Sequence, residues 1–174
     1  DGLPSAGQIG DQVAHARAAP FSAQLNEEDL PAARDVLRNR FDPVNEWFGR
    51  APKFPPSMML EALLRLGDEE SMSMAGQTLE AMARGGMYDQ LAGGFARYSV
   101  DSRWHGPLLE QMLDDNALLL AVYAHHARLT GSVLSRRVVE QTAAFLIDDL
   151  GLTGAQAAQL ENVAQLFQRP LQRG

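Results

Sequence analysis

The chain has 174 residues, 45% of them hydrophobic, so one domain or a piece of a larger protein with its own core is expected. Its formal net charge of −7 and the lack of a basic run argue against a nucleic-acid partner. The absence of cysteine excludes disulfide bonds, thiolate metal sites and thiol catalysis. No apolar run approaches the length of a membrane-spanning helix, and a cytoplasmic location without a membrane partner is expected.

The chain begins with residues rich in Gly, Ala, Ser and Gln, and residues 1–24 are predicted to be a linker or a fraying terminus. A helical domain is predicted over residues 25–170. Asn26 has the short polar side chain of an N-cap, and acidic residues fill the first turn of a helix that ends near Arg40. The predicted apolar stripe of this helix consists of Leu30, Ala33, Val36 and Leu37.

The next two helices follow a proline-rich loop over residues 41–55. The second helix is predicted to begin at Pro56 or Ser57 and to end at Gly67, and the third to run over residues 69–84. The predicted buried face of the second helix consists of Met58, Met59, Ala62, Leu63 and Leu66.

A long glycine-rich loop is predicted over residues 87–105, with a short strand or hairpin around Phe95, Tyr98 and Val100. Loops of this length are uncommon and are often functional. Further helices are predicted over residues 107–129, 133–150 and 153–168. The fold class is therefore all-α, built from consecutive antiparallel helical hairpins that form part of an α/α toroid.

Two glycine pairs flank the first half of this loop, Gly85-Gly86 and Gly93-Gly94. Neither pair belongs to a G-x-G-x-x-G or a phosphate-loop motif, so no nucleotide cofactor is indicated. Both pairs are predicted to supply positive φ angles, at a helix end and at a turn.

Polar and aromatic side chains are concentrated in the loop and just after it. Sites for sugars and small polar ligands combine such groups around aromatic faces. The alternative is that the same groups hydrogen-bond the backbone of their own loop. The residues predicted to bind such a ligand are Tyr88, Arg97, Tyr98, Trp104, His105, Asp115 and Asn116.

Asp89 and Glu110 are the candidate catalytic acid/base groups. Glu110 and Asp114 are four residues apart and are predicted to share a face of the fourth helix, although charge at a helix start is the simpler explanation. The adjacent histidines His125 and His126 point in different directions on a helix and are expected to be structural. Neither a metal site nor a cofactor is predicted.

Two segments carry a family resemblance: FDPVNEWFGRAPKFPPSMMLEALLR from residue 41, and TLEAMARGGMYDQLAGGFARYSVDSRWHGPLLEQMLDDNALLLAVYAHHARLTGS from residue 78. Over about residues 41–150 the chain resembles the thioredoxin-domain-containing proteins related to bacterial YyaL and the spermatogenesis-associated thioredoxin-like protein. The resemblance implies a thioredoxin domain followed by a six-hairpin toroid, similar to N-acylglucosamine 2-epimerases and glycosidases. A carbohydrate ligand follows by analogy only.

The chain departs from this pattern in several places. It lacks a thioredoxin-like segment, its six predicted helices cannot close the implied ring, and the likeness ends near residue 150. Leu108, Gln111 and Asp114 stand where the resemblance implies a histidine, a lysine and a tyrosine.

These departures favour a truncated or diverged helical segment without catalysis of its own, which binds a protein partner or a second copy through an uncapped apolar helical face. The first alternative is an epimerase- or glycosidase-like enzyme acting on a sugar-like small molecule through Asp89 or Glu110. The second alternative is an engineered binding scaffold, in which Trp47, Arg50, Leu108 and Leu109 would form one exposed contact surface.

Overall fold

The computed structural model describes residues 29–151, which contain five helices and a two-stranded ribbon. The predicted all-α fold class is therefore confirmed for this part of the chain. The predictions for residues 1–24, Asn26 and 153–168 lie outside the described residues. The elements are α1 (Asp29–Arg40), α2 (Ser57–Leu66), α3 (Glu69–Arg84), β1 (Tyr98–Ser99), β2 (Pro107–Leu108), α4 (Leu113–Thr130) and α5 (Val133–Asp148).

The chain divides into two compact units, residues 1–32 and 33–174. The first unit is described only for the opening residues of α1. The rest of α1 and all later elements belong to the second unit.

The helices of the second unit pack in pairs. A short connection at Gly67 joins α2 to α3, and another at Gly131 joins α4 to α5. The two hairpins contact each other, because α2 packs on α4 and α3 packs on α5. Both glycines have positive φ angles, which suits the left-handed end of a helix. The most deeply buried large apolar side chains include Leu60, Leu63, Leu79, Met82, Met87, Tyr88, Phe95, Leu119, Leu120, Tyr123 and Leu146.

The starts of α3 and α5 have side-chain caps. The Asp68 carboxylate accepts the Ser71 amide at 3.1 Å, and Ser132 Oγ accepts the Ser135 amide at 3.2 Å. Each cap satisfies one of the backbone N–H groups that the first helical turn leaves without a partner.

The predicted buried faces of the first two helices were partly wrong. Met58 is 70% exposed, and the buried residues of α2 are Leu60, Leu63 and Leu64. On α1, Val36 is exposed and Leu37 packs only partly against the core. The helical periodicity of α2 was predicted correctly. The predicted buried face was displaced by one residue toward the N-terminus, because two methionines stand at the start of the apolar run.

The predicted start of the fourth helix at residue 107 was also wrong. Pro107 and Leu108 form β2 instead, and α4 begins at Leu113. The backbone carbonyl of Glu110 accepts the amide of Arg97 at 2.8 Å, so this stretch is bonded to the loop and not to a helix. Glu110 and Asp114 therefore do not share a helical face.

Candidate functional site

The loop segment, which we define as residues 85–112, packs closely against the helices through its glycines. Gly93 and Gly94 have φ angles of +83° and +82°, and a Cβ on Gly94 would lie 2.5 Å from the Phe145 ring. The prediction that Gly93 and Gly94 supply positive φ angles at a turn is confirmed. Gly85 instead has a φ of −81°, and a Cβ there would lie 2.7 Å from Trp104, so close approach explains this glycine.

Strands β1 and β2 of the loop segment pair with each other, and β1 also bonds the backbone of Lys53, so that the three stretches form a short ribbon. Tyr98 pairs with Leu108, and Ser99 exchanges two backbone hydrogen bonds with Lys53, at 2.8 and 3.0 Å. The hairpin predicted around Tyr98 is thus present. Because side chains alternate along a strand, Lys53 and Ser99 lie on the buried side. The opposite side, which we call the ribbon face, carries Phe54, Tyr98, Val100 and Leu108.

The ribbon face is exposed although it is apolar. Phe54 is 49% exposed and Val100 59%. The Phe54 and Tyr98 rings contact each other with centroids 4.7 Å apart and planes at 33°. Contiguous apolar side chains fixed on a hydrogen-bonded ribbon are a typical feature of binding surfaces.

An ion pair lies next to Tyr98, which belongs to the ribbon face. The Arg97 guanidinium donates to the Glu110 carboxylate at 2.9 Å, and both side chains are exposed. The hydrogen bond from Arg97 to Glu110, together with their opposite charges, raises the pKa of Arg97. Asp115 also interacts electrostatically with Arg97, while partial burial and Asp114 raise the pKa of Asp115. Four predicted site residues, including Tyr98, therefore lie in one neighbourhood.

Tyr88 and Asp89 have different surroundings. The Tyr88 hydroxyl donates to Gln141 Oε1 of α5 at 2.7 Å, and burial raises the pKa of Tyr88 to about 12. The Asp89 carboxylate accepts the amides of Leu91 and Ala92 at 2.8 and 3.0 Å. These amides lower the pKa of Asp89, so its carboxylate stays ionised while it closes the turn.

Asn116 is completely buried and joins α4 to the loop segment. Its Oδ1 accepts the Phe95 amide at 2.6 Å, and its Nδ2 donates to the carbonyls of Phe95 and Met112 at 3.0 and 2.9 Å. All these bonds go to backbone groups of the loop and the helix start. In the structure the amide of Asn116 is thus used to hold the loop.

The sequence reasoning missed Lys53, which is the only lysine in the chain and is 1% exposed. Its Nζ donates to the carbonyl of Asn45 at 2.8 Å and lies 4.3 Å from the Trp104 ring and 5.7 Å from the Trp47 ring. We call Lys53, Trp47, Trp104 and the Asn45 carbonyl the lysine cage. The one available signal was the presence of a single lysine in an arginine-rich chain.

The lysine cage holds a cation to which no carboxylate within residues 29–151 is directly bonded. Burial lowers the pKa of Lys53 to about 8, whereas the nearby charges of Asp42 and Asp101 act in the opposite direction. The two indole rings meet edge to face with centroids 4.9 Å apart, and Trp104 Nε1 donates to the same Asn45 carbonyl at 3.2 Å. Indole faces attract an ammonium group, which offsets part of the cost of burying it.

The remaining predicted site residues lie beside the lysine cage. Trp104 is buried as part of it, with a φ of +64°, and His105 is exposed. The predicted site residues therefore do not converge on one site: one group lies near Tyr98, Tyr88 bonds to α5, Asp89 and Asn116 bond the backbone of the loop segment, and Trp104 belongs to the lysine cage. Trp47 is buried, so Trp47, Arg50, Leu108 and Leu109 do not form the single exposed surface that the engineered-scaffold alternative required.

Within residues 29–151, no cluster of three or more histidine or carboxylate side chains could hold a metal ion. In the same range, no helix has the length and apolar character needed to cross a membrane.

Comparison with known proteins identifies several relatives, although no family model matches the chain. An uncharacterized protein of Caenorhabditis elegans, B0495.5, is 43% identical over 113 residues, which cover 60% of this chain and 16% of the relative. Spermatogenesis-associated protein 20 of Homo sapiens is 34% identical, and that of Mus musculus 33% identical, each over 136 residues.

The matches to spermatogenesis-associated protein 20 cover 69% of this chain and 17% of the relatives. The chain thus spans a small part of the length of these proteins, and the thioredoxin domain and the toroid implied by the resemblance remain predictions. The chain is homologous to a segment of spermatogenesis-associated protein 20 and is related to that family.

Proposed function

We propose that this segment binds a small, sugar-like ligand on the ribbon face and has no catalytic activity of its own. The observation that carries the proposal is the exposed Phe54–Tyr98 ring pair beside the Arg97–Glu110 ion pair. A sugar ring has an apolar C–H face, which suits an aromatic ring, and a rim of hydroxyl groups, which suits charged donors and acceptors.

The surroundings of the two candidate acid/base groups favour binding over catalysis. Asp89 is ionised and already accepts two backbone amides. Glu110 is bonded to Arg97. A general acid must hold a proton, which the ionised Asp89 does not, and a general base must direct a carboxylate oxygen at the substrate, whereas Asp89 Oδ1 and Glu110 Oε2 are bonded within the protein.

The test is a titration of the chain with glucose, N-acetylglucosamine, maltose and cellobiose, followed through the ring resonances of Phe54 and Tyr98. We expect saturable shifts for at least one of the sugars. Removing one ring of the pair in Phe54→Ala should weaken binding about fivefold to tenfold. Leu91→Ala is the matched control because Leu91 is 95% exposed in another turn of the loop segment. If no sugar shifted the ring resonances, or if Phe54→Ala bound the sugar with unchanged affinity, the proposal would be contradicted.

A second candidate function is assembly through the outward face of α4. Leu118 and Leu129, which are about 20° apart around the helix, are 43% and 44% exposed, although the opposite face of this helix is buried. Exposed leucines that share one side of a helix can mark a contact surface. We propose that a further helix covers this face in the longer relatives, of which the matched segment makes up 17%.

In the isolated chain the same face would pair with a second copy. Sedimentation velocity should show self-association that increases with protein concentration and is lost in Leu118→Glu. Val133→Glu is the control because Val133 is 81% exposed at the start of α5. A monomer at all concentrations would remove the support for this candidate.

A further inference from the structure

We propose that a second pocket, remote from the ribbon face, binds a small oxyanion such as a carboxylate or a phosphate group. The pocket lies between α3, α4 and the start of α5 and has a volume of about 300 Å³. This volume is at the lower end of the range for small-molecule sites, so it suits a small ligand. The lining residues that matter are Gly76, Glu80, Arg84, His126, Ser132 and Ser135.

His126 provides a buried imidazole in the wall of this pocket. Its Nδ1 and Ser135 Oγ are hydrogen-bonded at 2.8 Å, and within the described residues this is the hydrogen bond that the ring makes. Burial lowers the pKa of His126, so the ring is neutral at pH 7 and one of its nitrogens carries a proton. In the tautomer in which the Ser135 hydroxyl donates to Nδ1, the ring proton is on Nε2, which can donate to an oxyanion.

Gly76 keeps Nε2 uncovered. It lies in the interior of α3, where alanine would favour the helix. It does not have the positive φ angle that would require glycine. A Cβ at residue 76 would lie 3.4 Å from His126 Nε2, which is van der Waals contact. The structural consequence of glycine here is therefore open space beside the imidazole.

The other polar groups of the pocket are mainly hydrogen-bond donors. The Arg84 guanidinium uses its Nε to contact Glu80 at 2.7 Å, and a guanidinium has four further N–H bonds. This contact also offsets the charge of Glu80, the one carboxylate among the described lining residues. Ser132 adds a hydroxyl at the start of the 16-residue helix α5, where the helix dipole favours negative charge. Donors that converge on a small space select a ligand rich in acceptors.

This pocket is separate from the ribbon face. Asn116, which bonds the loop segment, and His126 both belong to α4 and are ten residues apart. That separation corresponds to about 15 Å along a helix. The inference therefore does not depend on the proposed sugar-like ligand.

The test follows the ring resonances of His126 while inorganic phosphate or, in a separate series, acetate is added at constant pH and ionic strength. We expect a saturable shift of His126. His125 should not follow it, because its Nδ1 contacts Glu61 at 3.0 Å on the α2 side. A response to phosphate alone assigns a phosphate-bearing ligand, and a response to acetate alone assigns a carboxylate. The absence of a saturable shift with either anion would overturn the proposal.

Two variants distinguish this site from general anion screening. Gly76→Ala should be folded at least as stably, because alanine favours the helix, yet bind the anion about tenfold more weakly because its methyl group covers Nε2. Arg84→Gln should weaken binding by a similar factor. Arg65→Gln is the matched control, because Arg65 makes the same 2.7 Å contact to Glu61 on α2. If Arg65→Gln lost the same factor in anion affinity, or if both pocket variants bound the anion with unchanged affinity, the response would be nonspecific screening and the proposed site would be contradicted.

Discussion

The helical pairs and the loop segment are held together by different forces. Helices α2 to α5 bury leucine, methionine and valine side chains against one another. The loop segment also buries Met87 and Phe95 in this core, but it depends in addition on a few specific bonds, from Asn116 to Phe95, from Tyr88 to Gln141 and from Trp104 to Asn45. Apolar packing tolerates substitutions of similar volume, whereas a buried polar bond loses its partner entirely when one group is removed. The helices should therefore be robust, and the geometry of the ribbon face should depend on single residues.

The largest effect is expected for a core truncation. Leu120 is 2% exposed on α4, and Leu120→Ala should lower the free energy of unfolding by about 3 kcal/mol through lost burial and a residual cavity. Chemical denaturation followed by circular dichroism measures this change. Leu91→Ala, at a fully accessible position, should change it by less than about 0.5 kcal/mol. A small effect of Leu120→Ala would mean that α4 is not packed as described.

The second-largest loss of stability is expected when the side-chain hydrogen bonds between α4 and the loop segment are removed. Asn116→Ala leaves the Phe95 amide and carbonyl without their side-chain partner and should cost about 2 kcal/mol. Unlike the core truncation, it should also shift the amide resonances of residues 93–100 more than those of α3. Gln90→Ala is the control, because it removes side-chain bonds to the Ala83 carbonyl and from Arg137 that do not involve Phe95. If Asn116→Ala perturbed the helices and the loop equally, the two regions would not be held separately.

The lysine cage should make stability depend on pH. The pKa of Lys53 is about 8 in the folded protein, against an ordinary value of 10.5. Between these values the unfolded chain binds more protons, so the free energy of unfolding should rise with pH. The useful window runs from pH 8 to about 9.5, before tyrosines begin to ionise.

The Lys53→Met variant tests this interpretation. Denaturation midpoints should rise with pH in the unmodified chain and stay flatter in Lys53→Met over the same window. Identical slopes would show that Lys53 titrates at its ordinary pKa. The cage would then not bury the amine in the way that the 4.3 Å contact to Trp104 indicates.

The smallest effect is expected at the Arg97–Glu110 ion pair. Both side chains are more than 40% exposed, so Glu110→Gln should change the free energy of unfolding by less than about 0.5 kcal/mol. The same variant should weaken binding of the sugar-like ligand if the ribbon face is its site. A loss of stability without a loss of binding would make the pair structural and not part of the site.

The helices of the second unit were largely predictable from the sequence. The third helix was predicted over residues 69–84 and lies there, and the starts at Ser57 and Val133 also agree, because proline, glycine and capping residues mark these ends locally. The start of α4 was not predictable in the same way. Leu109, Met112 and Leu113 have helical spacing, but the pairing of Pro107 and Leu108 with β1 overrides that preference.

The candidate site was predictable only in part. The sequence indicated Arg97, Tyr98, Glu110 and Asp115, which the structure brings into one neighbourhood. It did not indicate Phe54 or Lys53, whose partners come from distant positions. Trp47 and Trp104 are 57 residues apart, and no local pattern shows that they enclose the same side chain. Contacts between distant loops become visible only when the fold is known.

The central claim is that the ribbon face is preformed because specific bonds hold the loop segment. Amide hydrogen exchange of Lys53, Phe95, Arg97 and Ser99 tests it most directly, because each of these amides has a partner within 2.6–3.0 Å. The account predicts that they exchange within about tenfold of the rate of buried α3 amides, and that Asn116→Ala accelerates Phe95 first. Exchange of all four at the rate of an unstructured chain would contradict a preformed ribbon face.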